Sequence, residues 1–311
     1  VKVAWRLLCS GAALGLVLAS SARAQDLDPR AYVHVPKNST FLVWGFGASD
    51  GAIVSDPALP ITDIQATVLT PSLGAGRSFS LFGRTAQAFA ALPFSWADVS
   101  GKALGEARAV VRAGFSDMRL RLSWLVRGAP AVTALELARS PRRTIIGTSL
   151  NVVAPAGEYN PDKLINLGTN RWSFRPELAL SQPLGKRFLL DVYTGVSFFT
   201  TNNSFFPGKS VKTQSPIGSW QLHLSYNFKR QLWGAVDVTY YTGGRSTVDG
   251  VEGGDLQANM RTGLTLGLPI GKRHSIKLAA SRGLVVQRGA DFTTYSFAWQ
   301  TAWVPRTPPP D

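Results

Sequence analysis

His223 and Ser225 stand two residues apart in SWQLHLSYNF, and Ser197 lies upstream. A serine, a histidine and an acid or amide form a hydrolytic triad when they meet on one surface. Strand side chains alternate between two faces. His223 and Ser225 therefore share a polar face with Gln221 and Asn227, while Trp220, Leu222, Leu224, Tyr226 and Phe228 take the other. A triad that cleaves lipid must face lipid, and His223 is in the polar phase, so it reads as a hydrogen-bonding interior histidine. Other chemistry is scarcer still. The sequence holds one cysteine, Cys9, inside the N-terminal apolar run, which leaves the rest of the chain no thiol nucleophile or thiolate ligand. His34, His223 and His274 are scattered singly, without metal-ligand spacing. The loop GGRSTVDGVEGG at 243–254 lacks the Gly-Lys-Ser/Thr end and following helix of a phosphate cradle. No catalytic site, cofactor site or metal site is expected.

The elements that carry these residues begin after a leader. In VKVAWRLLCSGAALGLVLASSARAQDLDP, Lys2 and Arg6 precede a short apolar run ending in Ala22-Arg23-Ala24. That is the three-part pattern of a secretory signal peptide, expected over residues 1–24, with a single domain over 25–311. Val1 in the first position suits a bacterial alternative start codon, and Cys9 precedes most of the apolar run, which argues against a lipid anchor. The formal charge is +14, with Lys2, Arg6 and Arg23 in the leader. Strong positive charge admits nucleic acid, an anionic membrane surface or anionic solutes as partners. Export and the lack of a lysine-rich tract or basic helix remove nucleic acid.

No later run of 18 apolar residues exists, so spanning helices are excluded; only VTALELAR at 132–139 looks helical. Two-residue alternation recurs instead. Met118, Leu120, Leu122 and Trp124 interleave with Asp117, Arg119, Arg121 and Ser123, and Trp172, Phe174, Leu178 and Leu180 with Ser173, Arg175, Glu177 and Ala179. Leu190, Val192, Val196 and Phe198 oppose Asp191, Tyr193, Gly195 and Ser197. Similar patterns cover 256–268 and 295–303. Further strands are expected near 38–48, 62–74, 78–92, 144–153, 231–242 and 275–284, making about twelve. Connections alternate in length. GAGR at 74–77, PLGKR at 183–187, FKRQ at 228–231 and PIGKR at 269–273 read as tight basic turns at one end, with long loops at the other. The connection at 127–142 breaks the alternation and is expected to hold the small helix.

An apolar face on nearly every strand, with Trp172, Phe198, Trp220, Phe228, Trp233, Tyr240, Tyr241, Trp299 and Trp303 near strand ends, fits an aromatic girdle. Strands in hydrocarbon must close, because an open edge leaves unpaired backbone groups. The expected fold is all-β: an antiparallel transmembrane β-barrel of about twelve strands in outer-membrane lipid. The inward set is Asp117, Arg119, Arg121, Arg175, Glu177, Asp191, His223, Asp237, Arg261 and Lys277, with Asp237 and Arg261 on adjacent strands as a candidate cross-strand pair. Such side chains either line a solute path or pair into a network that fills the barrel.

The stretch NLGTNRWSFRPELALSQPLGKRFLLDVYTGVSFFTTN at 166–202 resembles the MetA-pathway phenol-degradation family of outer-membrane proteins. GFSDMRLRLSWLVRGAPA, PAGEYNPDKLINLG, YYTGGRSTVDGV and LPIGKRHSIKLAASRG extend the resemblance over most of the chain. It implies a Gram-negative outer-membrane barrel that helps small, often aromatic, organic compounds cross. Two functions follow as expectations: a passive channel for such solutes, or a closed structural barrel whose long loops bind partners.

Overall fold

The computed structural model describes residues 27–55, 61–103, 105–229 and 231–305. The expected leader lies outside them. In chain order the elements are β1 (Thr40–Val54), β2 (Ile61–Leu81), β3 (Arg84–Ala103), β4 (Glu106–Phe115), β5 (Met118–Arg127), α1 (Ala134–Arg139), β6 (Ile145–Ala154), β7 (Ser173–Leu184) and β8 (Phe188–Phe199). There follow β9 (Asn202–Phe205), β10 (Ser210–Gln214), β11 (Ile217–Lys229), β12 (Leu232–Gly243), β13 (Ser246–Val248), β14 (Val251–Glu252), β15 (Gln257–Ile270), β16 (His274–Val285) and β17 (Gly289–Trp303).

Hydrogen bonding runs β2-β1-β17-β16-β15-β12-β11-β8-β7-β6-β5-β3, and β3 pairs back onto β2, closing a 12-strand antiparallel barrel. The seam between chain ends is long and unbroken, from Thr40 opposite Trp303 to Val54 opposite Gly289. Closure is what the surroundings demand: in hydrocarbon no water replaces a missing backbone partner. The faces confirm which solvent lies outside. Leu222 and Leu264 are 48% and 62% exposed, whereas His223 and Ser225 between them in phase are 0% exposed. A water-soluble sheet would invert this arrangement.

The tight turns sit at one end. Gly185 and Gly271 open the GKR turns with positive φ, 61° and 65°, a conformation that costs glycine little. The chain termini enter and leave at this end, since Thr40 and Trp303 face each other there. It also carries α1, whose Thr133 and Glu136 form a reciprocal cap. The opposite end carries the long segments at 155–172 and 200–216, and a small separate sheet of β14, β13, β10 and β9.

The first three strands differ from expectation. GAGR at 74–77 is not a turn but the middle of β2, paired with β1 and β3. The turn is Phe82-Gly83, both with positive φ (48° and 71°), the geometry of a two-residue hairpin with primed-turn twist. Glycine at 74 and 76 serves packing instead: a Cβ on Gly74 would stand 2.5 Å from the Phe89 ring, and one on Gly76 would stand 2.3 Å from the Phe41 ring. The expected loop at 97–107 is largely strand, because β3 continues to Ala103 and exchanges β5 for β4 as its neighbour above Pro93. Two of the expected girdle aromatics, Trp233 and Tyr241, occupy the inward phase: Tyr241 is fully buried, and Trp233 lies beneath the Arg30 guanidinium.

Placing a charge on the lipid face should be costly. Leu222→Arg is expected to lower unfolding stability in phospholipid vesicles by about 2–4 kcal/mol, read from guanidinium titration. An unchanged midpoint would mean that Leu222 does not face hydrocarbon.

Candidate functional site in the lumen

The segment before β1 does not hang free at the tight-turn end. It turns back into the barrel and packs against the inner wall. At the rim, the Lys37 amide donates to the Val132 carbonyl (2.9 Å), His34 Nε2 donates to the Pro130 carbonyl (2.7 Å), and Ser78 Oγ donates to the Pro36 carbonyl (2.6 Å). Deeper, Tyr32 is fully buried and packs with Leu125, Ala129, Ile145, Ala179 and Tyr193. Its hydroxyl donates to Glu177 Oε1 (2.7 Å) and lies 2.8 Å from Ser149 Oγ. The Ala31 amide donates to Tyr193 Oη (3.2 Å), the Arg30 amide to Asp191 Oδ2 (3.3 Å), and Arg30 Nη2 to Asn227 Oδ1 (2.9 Å).

Around this segment the inward polar residues form several hydrogen-bonded clusters. Buried charge is tolerable only when paired and hydrogen-bonded, and nearly every member meets that condition. Ser181 Oγ donates to Asp191 Oδ1 (2.5 Å). His223 Nδ1 lies 2.8 Å from Asp237 Oδ1 and its Nε2 lies 3.2 Å from Gln221 Oε1, so both ring nitrogens face oxygen. Thr265 Oγ1 donates to the second oxygen of Asp237 (2.7 Å). Arg121 Nη2 reaches Glu177 (3.5 Å), and Arg175 Nε lies 3.7 Å from the other oxygen of the same carboxylate.

Asp28 completes the arrangement by bridging two distant walls. Lys277 Nζ on β16 donates to Asp28 Oδ1 (2.6 Å), and Arg121 Nη1 on β5 lies 3.7 Å from Asp28 Oδ2. These strands stand on opposite sides of the cylinder in the pairing order. The bridge therefore divides the lumen. On the side of β6, β7, β8, β11, β12 and β15, inward residues such as Ser149, Glu177, Asp191, Gln221, His223, Asp237, Asn259 and Arg261 are buried. On the side of β16, β17, β1, β2 and β3, the inward residues Phe41, Val43, Gly45, Gly76, Phe89, Ala91, Ala279 and Ala298 keep part of their surface open, and Ser296 and Gln300 are exposed. That half is lined by small and apolar groups together with uncharged polar ones such as Gln87 and Gln300, and Phe41 and Phe89 are stacked 6.1 Å apart.

At the long-loop end an apolar layer lies over this open half. Ile165 and Leu167, from the segment joining β6 to β7, reach across to pack with Ile53, Ile64, Ala97, Val99, Ala290 and Phe292. Asp117 holds the segment in place: its Oδ1 accepts from the Gly157 amide (3.1 Å) and its Oδ2 from the Thr169 amide (3.0 Å) and hydroxyl (2.6 Å). Nearby, Arg171 stacks over Phe199 and Lys212 over Phe205. Burial, with Arg171 adding repulsion, pushes the Lys212 ammonium down to about 8.

Several sequence expectations are thereby placed. Arg121, Arg175, Glu177, Asp191, His223, Asp237, Arg261 and Lys277 share the inner wall, Arg119 occupies an inward register position opposite Ala91, and Asp117 belongs to the loop anchor. The expected Asp237 and Arg261 pair is not formed. Asp237 bonds His223 and Thr265, while Arg261 Nη2 donates to Ser281 Oγ (3.2 Å) and the Phe292 carbonyl (2.9 Å). The register explains it: Asp237 faces Gly263, and Arg261 faces Thr239. Neither His223 nitrogen meets Ser225 or Ser197, and the ring is sealed from lipid, so the hydrolytic set is not assembled. Asp28, Arg30 and Tyr32 were not anticipated, since DLDPRAYVHVPKNS shows no periodicity.

A family model described as "Putative MetA-pathway of phenol degradation" matches residues 45–300. No curated protein matches the chain. Among solved structures, the COG4313 outer membrane channel from Pseudomonas putida F1 is 20% identical, with a TM-score of 0.78 over 89% of this chain and 100% of that one. The transport unit of the autotransporter AIDA-I from Escherichia coli is 12% identical, TM-score 0.53, over 93% and 95% of the two chains. The β domain of the Bordetella autotransporter BrkA is 11% identical, TM-score 0.51, over 86% and 100%. These likenesses are of fold.

Asp237→Ala would leave His223 and Thr265 buried without their acceptor. The expected cost is about 1–3 kcal/mol, read from the guanidinium midpoint, with the folded barrel still recovered from outer-membrane fractions. An unshifted midpoint would show that these bonds contribute nothing.

Proposed function

Because this chain belongs to the MetA-pathway phenol-degradation family, we propose that it is an outer-membrane channel through which small apolar organic compounds, aromatic ones among them, cross passively. The observation that carries this reading is the unequal filling of the lumen. One half is packed by the N-terminal segment and its ion pairs; the other offers a band of glycine, alanine, valine and phenylalanine, interspersed with uncharged residues such as Gln87, Ser296 and Gln300, with surface to spare. A flat apolar solute fits such a wall, because it loses little on leaving water and gains contact with rings and methyl groups. A hydrated ion meets the opposite conditions at the Ile165 and Leu167 layer, where an apolar constriction excludes its water shell.

In this account the polar set read from sequence does not itself conduct the solute. Arg121, Asp28 and Lys277 form the partition along one side of the path, and Glu177 and Asp191 hold the N-terminal segment in place. Residues 1–24 are removed on export, and the domain of 25–311 resides in the outer membrane of a Gram-negative cell, its tight turns toward the periplasm. The apolar layer is also what a closed barrel with a surface role would have, so transport must be measured directly.

The test uses the mature barrel in liposomes, with folding monitored by heat-modifiable migration on gels. Wild type is expected to speed phenol and toluene entry over protein-free vesicles and to leave sugars outside. Ala298→Trp, which fills the open half, should reduce that entry several-fold, and Thr239→Val in the packed half should leave it unchanged. A folded wild-type barrel that admits neither aromatic compound would favour the closed alternative.

A further inference from the structure

Three arginines converge on the outer rim at the tight-turn end. Arg84 begins β3, Arg127 ends β5, and Arg143 lies in the connection just before β6. Together with Gly128, Thr144 and Ile146 they line a surface pocket of about 580 Å³. Three backbone seams hold them there. The Thr85 amide donates to the Ala129 carbonyl (3.0 Å) and the Ala131 amide to the Gly83 carbonyl (3.0 Å), tying the Arg84 segment to the chain just past Arg127. Gly128, at φ 86°, passes so close to the Thr144 carbonyl that a Cβ would stand 2.0 Å from its oxygen. Arg127 and Arg143, each one residue before that contact, are thus held side by side.

No acid balances them. The pocket lining contains no Asp or Glu, and among the described residues none of the three guanidinium groups has an ion pair or a side-chain hydrogen bond. The nearest helix keeps its own carboxylate occupied, as Glu136 accepts from the Thr133 amide (2.7 Å) and hydroxyl (2.9 Å). A backbone that gathers like charges without a counter-ion leaves a standing attraction for an anion.

The position of the pocket says which anion. Arg127 pairs with Ile146, which is 40% exposed on the lipid face. Trp124, on the lipid face of the same strand, donates its indole N–H to the Leu81 carbonyl (3.3 Å) and packs edge-on against Phe82. Aromatics so placed mark the headgroup depth of a bilayer, and the tight-turn end is the periplasmic one in outer-membrane barrels. An anion arriving there on an acyl chain would satisfy the arginines and cover Ile146 together. We propose that Arg84, Arg127 and Arg143 form a binding site for the phosphate of an anionic phospholipid of the periplasmic leaflet, with its chains lying along the wall beside Ile146 and Trp124.

The mature barrel in neutral detergent is titrated with phosphatidylglycerol, phosphatidylcholine and, separately, inorganic phosphate, and bound species are counted by native mass spectrometry. Wild type should retain phosphatidylglycerol about tenfold more tightly than phosphatidylcholine. That preference should fall in Arg143→Gln, which alters only a connection, and vanish in Arg127→Gln with Arg143→Gln. Heat-modifiable migration verifies folding, and the single variant decides the matter if the double one does not assemble. Equal retention of the two lipids by wild type, or a preference unchanged in Arg143→Gln, overturns the proposal. So does inorganic phosphate that binds as tightly as the lipid, since the site would then serve a free anion.

Discussion

Everything in this molecule rests on one constraint: a backbone amide or carbonyl in hydrocarbon has no water to turn to. The constraint forces the sheet to close, and closure here is completed by the long ladder between β1 and β17 and the return of β3 onto β2. Once closed, the sheet separates two environments with alternate residues facing each. Leu222, Leu264 and Trp299 are exposed because lipid is their solvent, and His223, Asp237 and Thr265 are buried because the interior is where their partners are. The usual meaning of burial is reversed, and polarity inside becomes a problem the interior must solve.

The interior solves it with the chain's own N-terminal segment. Asp28, Arg30 and Tyr32 supply an acid, a cation and a hydroxyl to a wall rich in unbalanced groups, meeting Lys277, Asn227 and Glu177 respectively. A truncated network of this kind is worse than none, since each orphaned member keeps its desolvation cost. That explains why the segment penetrates to mid-depth and not merely to the rim. It also explains why the opposite wall, where Gly45, Gly76, Ala279 and Ala298 stand beside the uncharged Ser296 and Gln300, needs no such partner and keeps surface open.

Much of this was legible in the residues. The period-two phase separates the polar from the apolar positions because a strand cannot place neighbours on the same face. The turns at 185–187 and 271–273 announce themselves through glycine, and the helix through the run VTALELAR. Four things escape the sequence pattern. GAGR reads as a turn in the sequence, although its glycines 74 and 76 let the Phe89 and Phe41 rings lie against the strand; a glycine needed for close approach and one needed for a turn look alike in sequence. Trp233 and Tyr241 were placed at the membrane surface by residue type, against their own phase. The partner of Asp237 depended on register, which a one-residue shift changes and alternation does not reveal. The N-terminal segment was the least visible, because its contacts, such as Tyr32 with Glu177, join residues 145 apart along the chain and leave no local trace.

The ladder between Thr40 and Trp303 has a bearing on how the cylinder is made. Its two halves are separated by nearly the whole polypeptide, so it is the most remote pairing in the molecule and the last for which both halves become available during synthesis. The stretch from Leu27 to Ser39 is joined directly to one of those halves. It must reach its place among β5, β7, β8 and β16 before the cylinder seals, or thread in afterwards through a narrowing mouth. Assembly around a core already seated is the simpler order, and it would make the lumen's contents a part of the folding nucleus, not a later addition.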